Sequence, residues 1–206
     1  RNAHAAPLAF EFAFGRERII TNCGAVSEYG EWFEALRATA AHSTVVLDSR
    51  NVCQMDEKGY FKTTPDVDHI VHSDDNGALF EGAHTGYMPR YGVQHTRRLY
   101  LKEAGNFLVG EDTLIGGGAG TPYTVRFHLH PTCQASLIQN GTEVLIQTKS
   151  RNGWRMRIEG EGTLSLEESV HIGRRQQLRR SVQVVFTGQT IGGETQVKWG
   201  LSRIMG

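Results

Sequence analysis

The sequence predicts an all-β protein, an antiparallel β-sandwich with one short helix. Three observations point there. Apolar and polar residues alternate in short runs through most of the 206 residues, turn residues separate the runs, and 24 glycines stand against only 5 prolines. Period-two alternation marks a strand with one buried and one wetted face. Many such strands joined by tight turns favour a sandwich over a parallel sheet.

The elements follow in order. LAFEFAF and RIITN flank Gly15-Arg16-Glu17-Arg18 as a hairpin, and EWFEALRATAA is the one helical candidate. In it Trp32, Leu36 and Thr39 or Ala40 recur at helical spacing over about three turns. STVVLD is a short strand, and residues 50–77 show no sustained period and read as a long irregular excursion. From Ala78 strands come quickly, among them ALFEGAHTGY, QHTRRLYLKE, NFLVGEDTL, YTVRFHLHP, TEVLIQTK, GWRMRIEG, SVQVVFTG and QVKWGLSRI. Ala104-Gly105-Asn106 and Asn140-Gly141 suit hairpin turns. The glycine-rich run Gly116–Gly120 lacks the strand-to-helix setting of a phosphate loop. Neither a repeat nor an internal boundary is visible, so residues 1–206 read as one domain.

Composition excludes several classes. Lys+Arg and Asp+Glu are equal at 22 each, so no net field marks a nucleic-acid or membrane-surface protein. No apolar stretch approaches the roughly 18 residues that would insert in a bilayer. Three scattered cysteines, Cys23, Cys53 and Cys133, argue against a disulfide framework. The start, RNAHAAP, lacks a signal-peptide pattern and runs almost directly into a strand, which suggests a piece of a longer protein.

Candidate chemistry centres on histidine. His4, His42, His84, His95, His128 and His130 lie on or beside strands, without a close metal box such as HExxH; zinc ligands can nevertheless converge from separate strands. Along Tyr123–His130 alternation puts Tyr123, Val125, Phe127 and Leu129 on one face and Thr124, Arg126, His128 and His130 on the other. The second set is either an ordinary polar face or an anion-binding one. His84, Tyr87, Arg90, His95 and Arg97 fall in a stretch equally readable as a basic hairpin or as a surface for carboxylates and sulfates. Cys23 is a packed thiol or a soft metal ligand. No GxSxG elbow or catalytic cysteine context is present.

Taken in order, NAHAAPLAFEF, RIITNCGA, ALRATAAHSTVVLD, HTGYMPRYGVQHTRRLYL and VRFHLHP resemble the C-terminal, supersandwich-like β-sandwich of the heparinase II/III-like family over nearly the whole chain. That resemblance implies an N-terminal α/α-toroid absent from this chain. It also implies a bacterial, periplasmic polysaccharide lyase acting on glycosaminoglycans or other uronic-acid polymers by β-elimination. The acidic polysaccharide is the partner it implies, with no nucleic acid and no membrane insertion.

Carried over by position, Asn2 stands where the family places a catalytic-type histidine, and His4 where it places a metal-ligand histidine. Ala6 replaces the motif's aspartate. The second ligand, an aspartate, falls at Asn22 with Cys23 beside it, and the third falls at His42. Zinc is thus the implied cofactor, at a site weakened by the loss of the acidic ligand. Asparagine cannot move a proton, although its amide can bond a carboxylate. Tyr29, in the loop after the second strand, is a candidate proton donor or a packed surface tyrosine. The expected division is catalysis mostly in the toroid, with His84, Tyr87, Arg90, His95, Arg97, Arg126, His128 and His130 lining the groove. The alternative is a noncatalytic carbohydrate-binding or structural sandwich.

Overall fold

Alternating side chains need two sheets to bury one face each, and the chain supplies them. The computed structural model describes residues 3–26, 30–56, 60–173 and 176–204. Among these, the smaller sheet holds β1 (Phe12–Phe14), β2 (Glu17–Thr21), β3 (Val45–Leu47), β8 (Ala119–Leu129), β12 (Thr163–Ile172) and β13 (Leu178–Ile191). The larger runs, in spatial order, β4 (Val67–Asp74), β5 (Gly77–His84), β6 (Val93–Lys102), β7 (Phe107–Gly116), β14 (Glu194–Ile204), β11 (Gly153–Glu159), β10 (Glu143–Gln147) and β9 (Gln134–Ile138). Neighbouring strands pair antiparallel in both sheets, as the turn-rich sequence requires.

The core lies between the sheets. Val125, Phe127 and Leu129 of β8 and Val184 and Phe186 of β13 face Trp154, Met156, Trp199 and Leu201 of the larger sheet. Phe127 meets the Trp199 ring edge-on at 4.9 Å, and Phe10 stacks on its plane at 5.4 Å. Burying each such side chain contributes about 1.5–3 kcal/mol. Gly110 lies opposite Trp199 on β7, where a Cβ would fall 2.0 Å from the indole. Its missing side chain is what lets the ring lie against the sheet.

Two expectations are corrected. The helical segment gives only α1 (Glu31–Arg37), followed by a 3-10 turn over Thr39–Ala41. Thr39 pulls the chain out of the helix: its hydroxyl donates to the Ala5 carbonyl at 2.5 Å, and its N–H donates to Asn51 Oδ1 at 2.9 Å. A second short helix, α2 (Met88–Tyr91), links β5 and β6. The excursion over 50–77 is irregular only as far as its middle, because β4 then pairs with β5 in unbroken register. Asp74 closes that hairpin by accepting from the N–H groups of Asn76 (2.8 Å) and Gly77 (3.1 Å). β4 is exposed along its whole length, so it carries no apolar alternation to read.

Candidate functional site

The outer face of the smaller sheet brings most of the candidate chemistry together. The segment from Ala3 to Leu8 is stitched to α1 and the turn after it: Ala5 N–H donates to the Arg37 carbonyl (2.9 Å), and Arg37 Nε donates to the Ala3 carbonyl (2.8 Å). This lacing puts His4 beside His42. His42 donates from Nδ1 to the Ala38 carbonyl (2.9 Å), which makes Nε2 its lone-pair nitrogen. That nitrogen lies 3.0 Å from His4 Nδ1, itself 3.0 Å from the Leu36 carbonyl. A carbonyl only accepts, so His4 Nδ1 carries the proton and shares it between the two. Burial lowers the pKa of both rings, that of His42 to about 4.

Asn22, at the second position of the set, is already in use. Its Oδ1 accepts from the Ser43 N–H (2.9 Å), and its Nδ2 donates to Glu11 Oε1 (3.4 Å). Cys23 turns away from the histidine pair toward His128, with Sγ 3.4 Å from Nδ1. Burial raises its thiol pKa, so no thiolate replaces the missing carboxylate. Zinc needs three or more lone-pair donors aimed at one point. Among the described residues no three His, Cys, Asp or Glu side chains converge in that way. The residues present do not fit a zinc ion. Asn2 and Tyr29, the candidate catalytic pair, lie outside the described residues.

The expected groove set divides. His84, Tyr87, His95 and Arg97 are each at most 1% exposed, so they line the interior and not a groove. Their polarity is spent on one buried network. Gly86 N–H donates to His84 Nδ1, His84 Nε2 faces His95 Nδ1 at 3.1 Å, and His95 Nε2 donates to Asp112 Oδ1 at 2.8 Å. Arg97 grips the same carboxylate at 2.7 and 2.9 Å, and the Trp199 indole donates to it at 3.0 Å. Tyr87 donates to the Val45 carbonyl, and burial raises its pKa. Arg90 is exposed on α2, over the Tyr91 ring.

Alternation along β8 is as expected, but its polar face is roofed by α1 and the turn after it. His128 is therefore buried, donating from Nε2 to the Ala40 carbonyl (3.0 Å) and accepting at Nδ1 from Ser169 Oγ (2.8 Å). Arg126 is held by Glu167 (3.3 Å) and Gln183 (3.1 Å). Between the roof and strands β12 and β13 runs a cleft of about 450 Å³, walled by Trp32, Leu36, Val170, Leu178 and Arg180. His130 lies half-buried on the same sheet face, its ring 5.3 Å from that of His171. Burial first, then the charges of Arg179 and Arg18, lower the His130 pKa, against the Glu11 carboxylate, which raises it. Sequence reasoning found His130 but missed Trp32, Arg18, Arg179 and Arg180. The Arg179-Arg180 pair in QLRRSVQ was the available signal.

The cleft offers a largely apolar wall with the Arg180 guanidinium among its lining groups. The comparisons agree with the sandwich architecture. The family described as Heparinase II/III-like, C-terminal, matches residues 1–200. FtsZ-localized protein C of Caulobacter vibrioides (strain NA1000 / CB15N) is 31% identical over 226 residues, covering 100% of this chain and 38% of that protein. Heparan sulfate lyase HepC from Pedobacter heparinus superposes with a TM-score of 0.80 at 18% identity, over 99% of this chain and 31% of that one. A heparinase III gives 0.79 at 15% identity, over 98% and 30%. At these identities the two structures establish the fold alone. The chain spans well under half the length of each of these relatives. It belongs to the heparinase II/III-like C-terminal family.

Proposed function

We propose that this sandwich holds an acidic polysaccharide without itself supplying elimination chemistry or a metal. The observation that carries the reading is the state of Asn22. Where the family resemblance calls for an acidic ligand, its amide is bonded at both ends and His4 and His42 bond to each other. Eliminating a uronate needs the carboxylate neutralised and a proton removed beside it. The described residues of this face offer arginines for the first task; the buried imidazoles His42, His128 and His171 each bond a backbone carbonyl, of Ala38, Ala40 and Asn22. Arg18 and Arg179 would take the polymer's carboxylates or sulfates, the uncharged His130 ring would add a hydrogen bond, and Trp32 would offer a sugar ring an apolar wall.

The test is to incubate the 206-residue chain with heparan sulfate and with polygalacturonate. Retention on the immobilised polymers is read alongside ultraviolet absorbance from unsaturated uronate. Binding without product is expected. Product formed by this chain alone would overturn the reading.

A second reading rests on the curated relative, whose name ties it to FtsZ. On that reading the parent of this chain localises with FtsZ and the sandwich is one of its structural parts. A fluorescent fusion of the parent that does not co-localise with FtsZ would remove it.

A further inference from the structure

A glycine inside a strand weakens it, and it marks a bulge, a bend or a place where something comes close. For Gly110 that something is the Trp199 ring. Gly200 on β14 has no such cause within the fold. Its backbone is outside the left-handed region, its register with β7 and β11 is unbroken, and a Cβ there would meet nothing within 4 Å. Among the described strand glycines it alone combines an ordinary backbone with open space above it.

That space is a trough of about 410 Å³ on the outer face of the larger sheet, running along β14 from Lys198 to Ser202. Val109 and Phe107 of β7 form one bank, and Arg157 and Arg155 of β11 the other. Glu143 of β10 fixes the second bank: it is buried, its Oε1 accepts from Arg157 Nε (2.9 Å) and Nη2 (2.6 Å), and its Oε2 lies 3.5 Å from Arg155 Nε. Charge is uneven along the trough. At the Lys198 end, Glu111 and Glu159 flank the ammonium. At the Ser202 end two exposed guanidiniums share one carboxylate, and Lys102 adds its ammonium 4.7 Å over the Phe107 ring.

We infer that this trough is a sugar site in its own right. It seats an anionic pyranose, a uronate or sulfated residue, with its C–H face on Val109 and the Gly200 backbone. The charged group lies at Arg155 and Arg157, and hydroxyls at the other end donate to Glu159. Two features favour a sugar over an acidic peptide. The backbone groups of β7, β14 and β11 are spent in their ladders, so an extended chain has nothing to pair with, and the Glu111–Glu159 end repels a second carboxylate. The site lies on the face opposite Arg18 and Arg179 and does not depend on them. It is the weaker of the two, because Glu143 neutralises one of its guanidiniums.

The test is an NMR titration of the isotope-labelled 206-residue chain with a heparan sulfate tetrasaccharide. Amide shifts at Val109, Gly200 and Arg157 should saturate together, and equally in an Arg18→Ala, Arg179→Ala double variant, which separates this site from the other face. Gly200→Val puts a side chain into empty space, so the urea midpoint should hold or rise while those shifts disappear. Arg155→Ala, which leaves Glu143 paired with Arg157, should weaken the site about tenfold, and neutral cellotetraose should bind at least about tenfold more weakly than the acidic sugar. Unmoved amides at the trough in the wild type would overturn the inference. So would shifts that survive Gly200→Val, cellotetraose binding as tightly as the acidic sugar, or hexaglutamate doing so.

Discussion

Replacing Asp112 with alanine removes the acceptor that closes the buried network between β6, β7 and β14. The carboxylate accepts from His95 Nε2, from Arg97 Nε and Nη2, and from the Trp199 indole, at 2.7–3.0 Å. Burial works to raise its pKa, but Arg97 and His95 overcome this and hold it below the usual carboxylate range. In the variant Arg97 keeps its charge with only the carbonyls of Leu8 and Ser43 as acceptors. Breaking a buried pair from one side costs about 3–5 kcal/mol, because a charge is left uncompensated. At about 2–4 °C per kcal/mol for a chain of this size, the midpoint should fall by roughly 6–20 °C. Thermal unfolding followed by circular dichroism reads this directly. Combining Asp112→Leu with Arg97→Leu should cost less than the sum of the two single changes, since the stranded charge goes too. A drop of under about 3 °C for Asp112→Ala would mean that water reaches Arg97, and the closed network described above would be wrong.

Other predictions follow from the same packing. His84 is held neutral by burial and by its cationic neighbours, with a pKa of about 2, while burial lowers His42 and His128 to about 4. Each has a folded pKa below its ordinary 6.5, so below that pH the unfolded chain binds the proton first. Stability is therefore full above pH 6.5 and should fall with acidification toward pH 4, by up to about 1.4 kcal/mol per pH unit for each histidine. Urea midpoints at stepped pH check this, and a midpoint flat between those values would contradict it. Gly110→Ala should cost about 1–3 kcal/mol by driving a methyl group into the Trp199 ring, seen as a lower urea midpoint with unchanged slope. Asn22→Asp puts a carboxylate at the position where the family resemblance calls for an acidic ligand. Calorimetry should show zinc binding at least about tenfold tighter than for the wild type. Without zinc, repulsion from Glu11 should make that variant slightly less stable, by under about 1 kcal/mol.

The fold was legible where burial imposes a period. Tyr123, Val125, Phe127 and Leu129 alternate because the opposite sheet covers one face of β8, and those residues are the core. β4 was missed because it is wet on both faces, so its residues obey no period; the Asn76-Gly77 pair, not read as a turn in the sequence, was the available signal. The site was legible as a set of residue types, not as a set of places. His95 and Arg97 look like ligand-binding groups in sequence, and only the register opposite Asp112 shows that they satisfy a buried carboxylate. Conversely, Arg18, His130 and Arg179 lie on three separate segments whose meeting depends on the pairing of β2, β8, β12 and β13, which no local pattern encodes.

The central claim is that the outer face of the smaller sheet binds an acidic polymer through its cationic cluster. Its most direct test is a titration of heparan sulfate into the wild-type chain and into an Arg18→Ala, Arg179→Ala double variant, at two salt concentrations. Both arginines are exposed, so the variant should fold normally. The account predicts saturable binding that weakens with salt and falls at least about tenfold in the double variant. Equal binding by the two proteins, or none by the wild type, would contradict it.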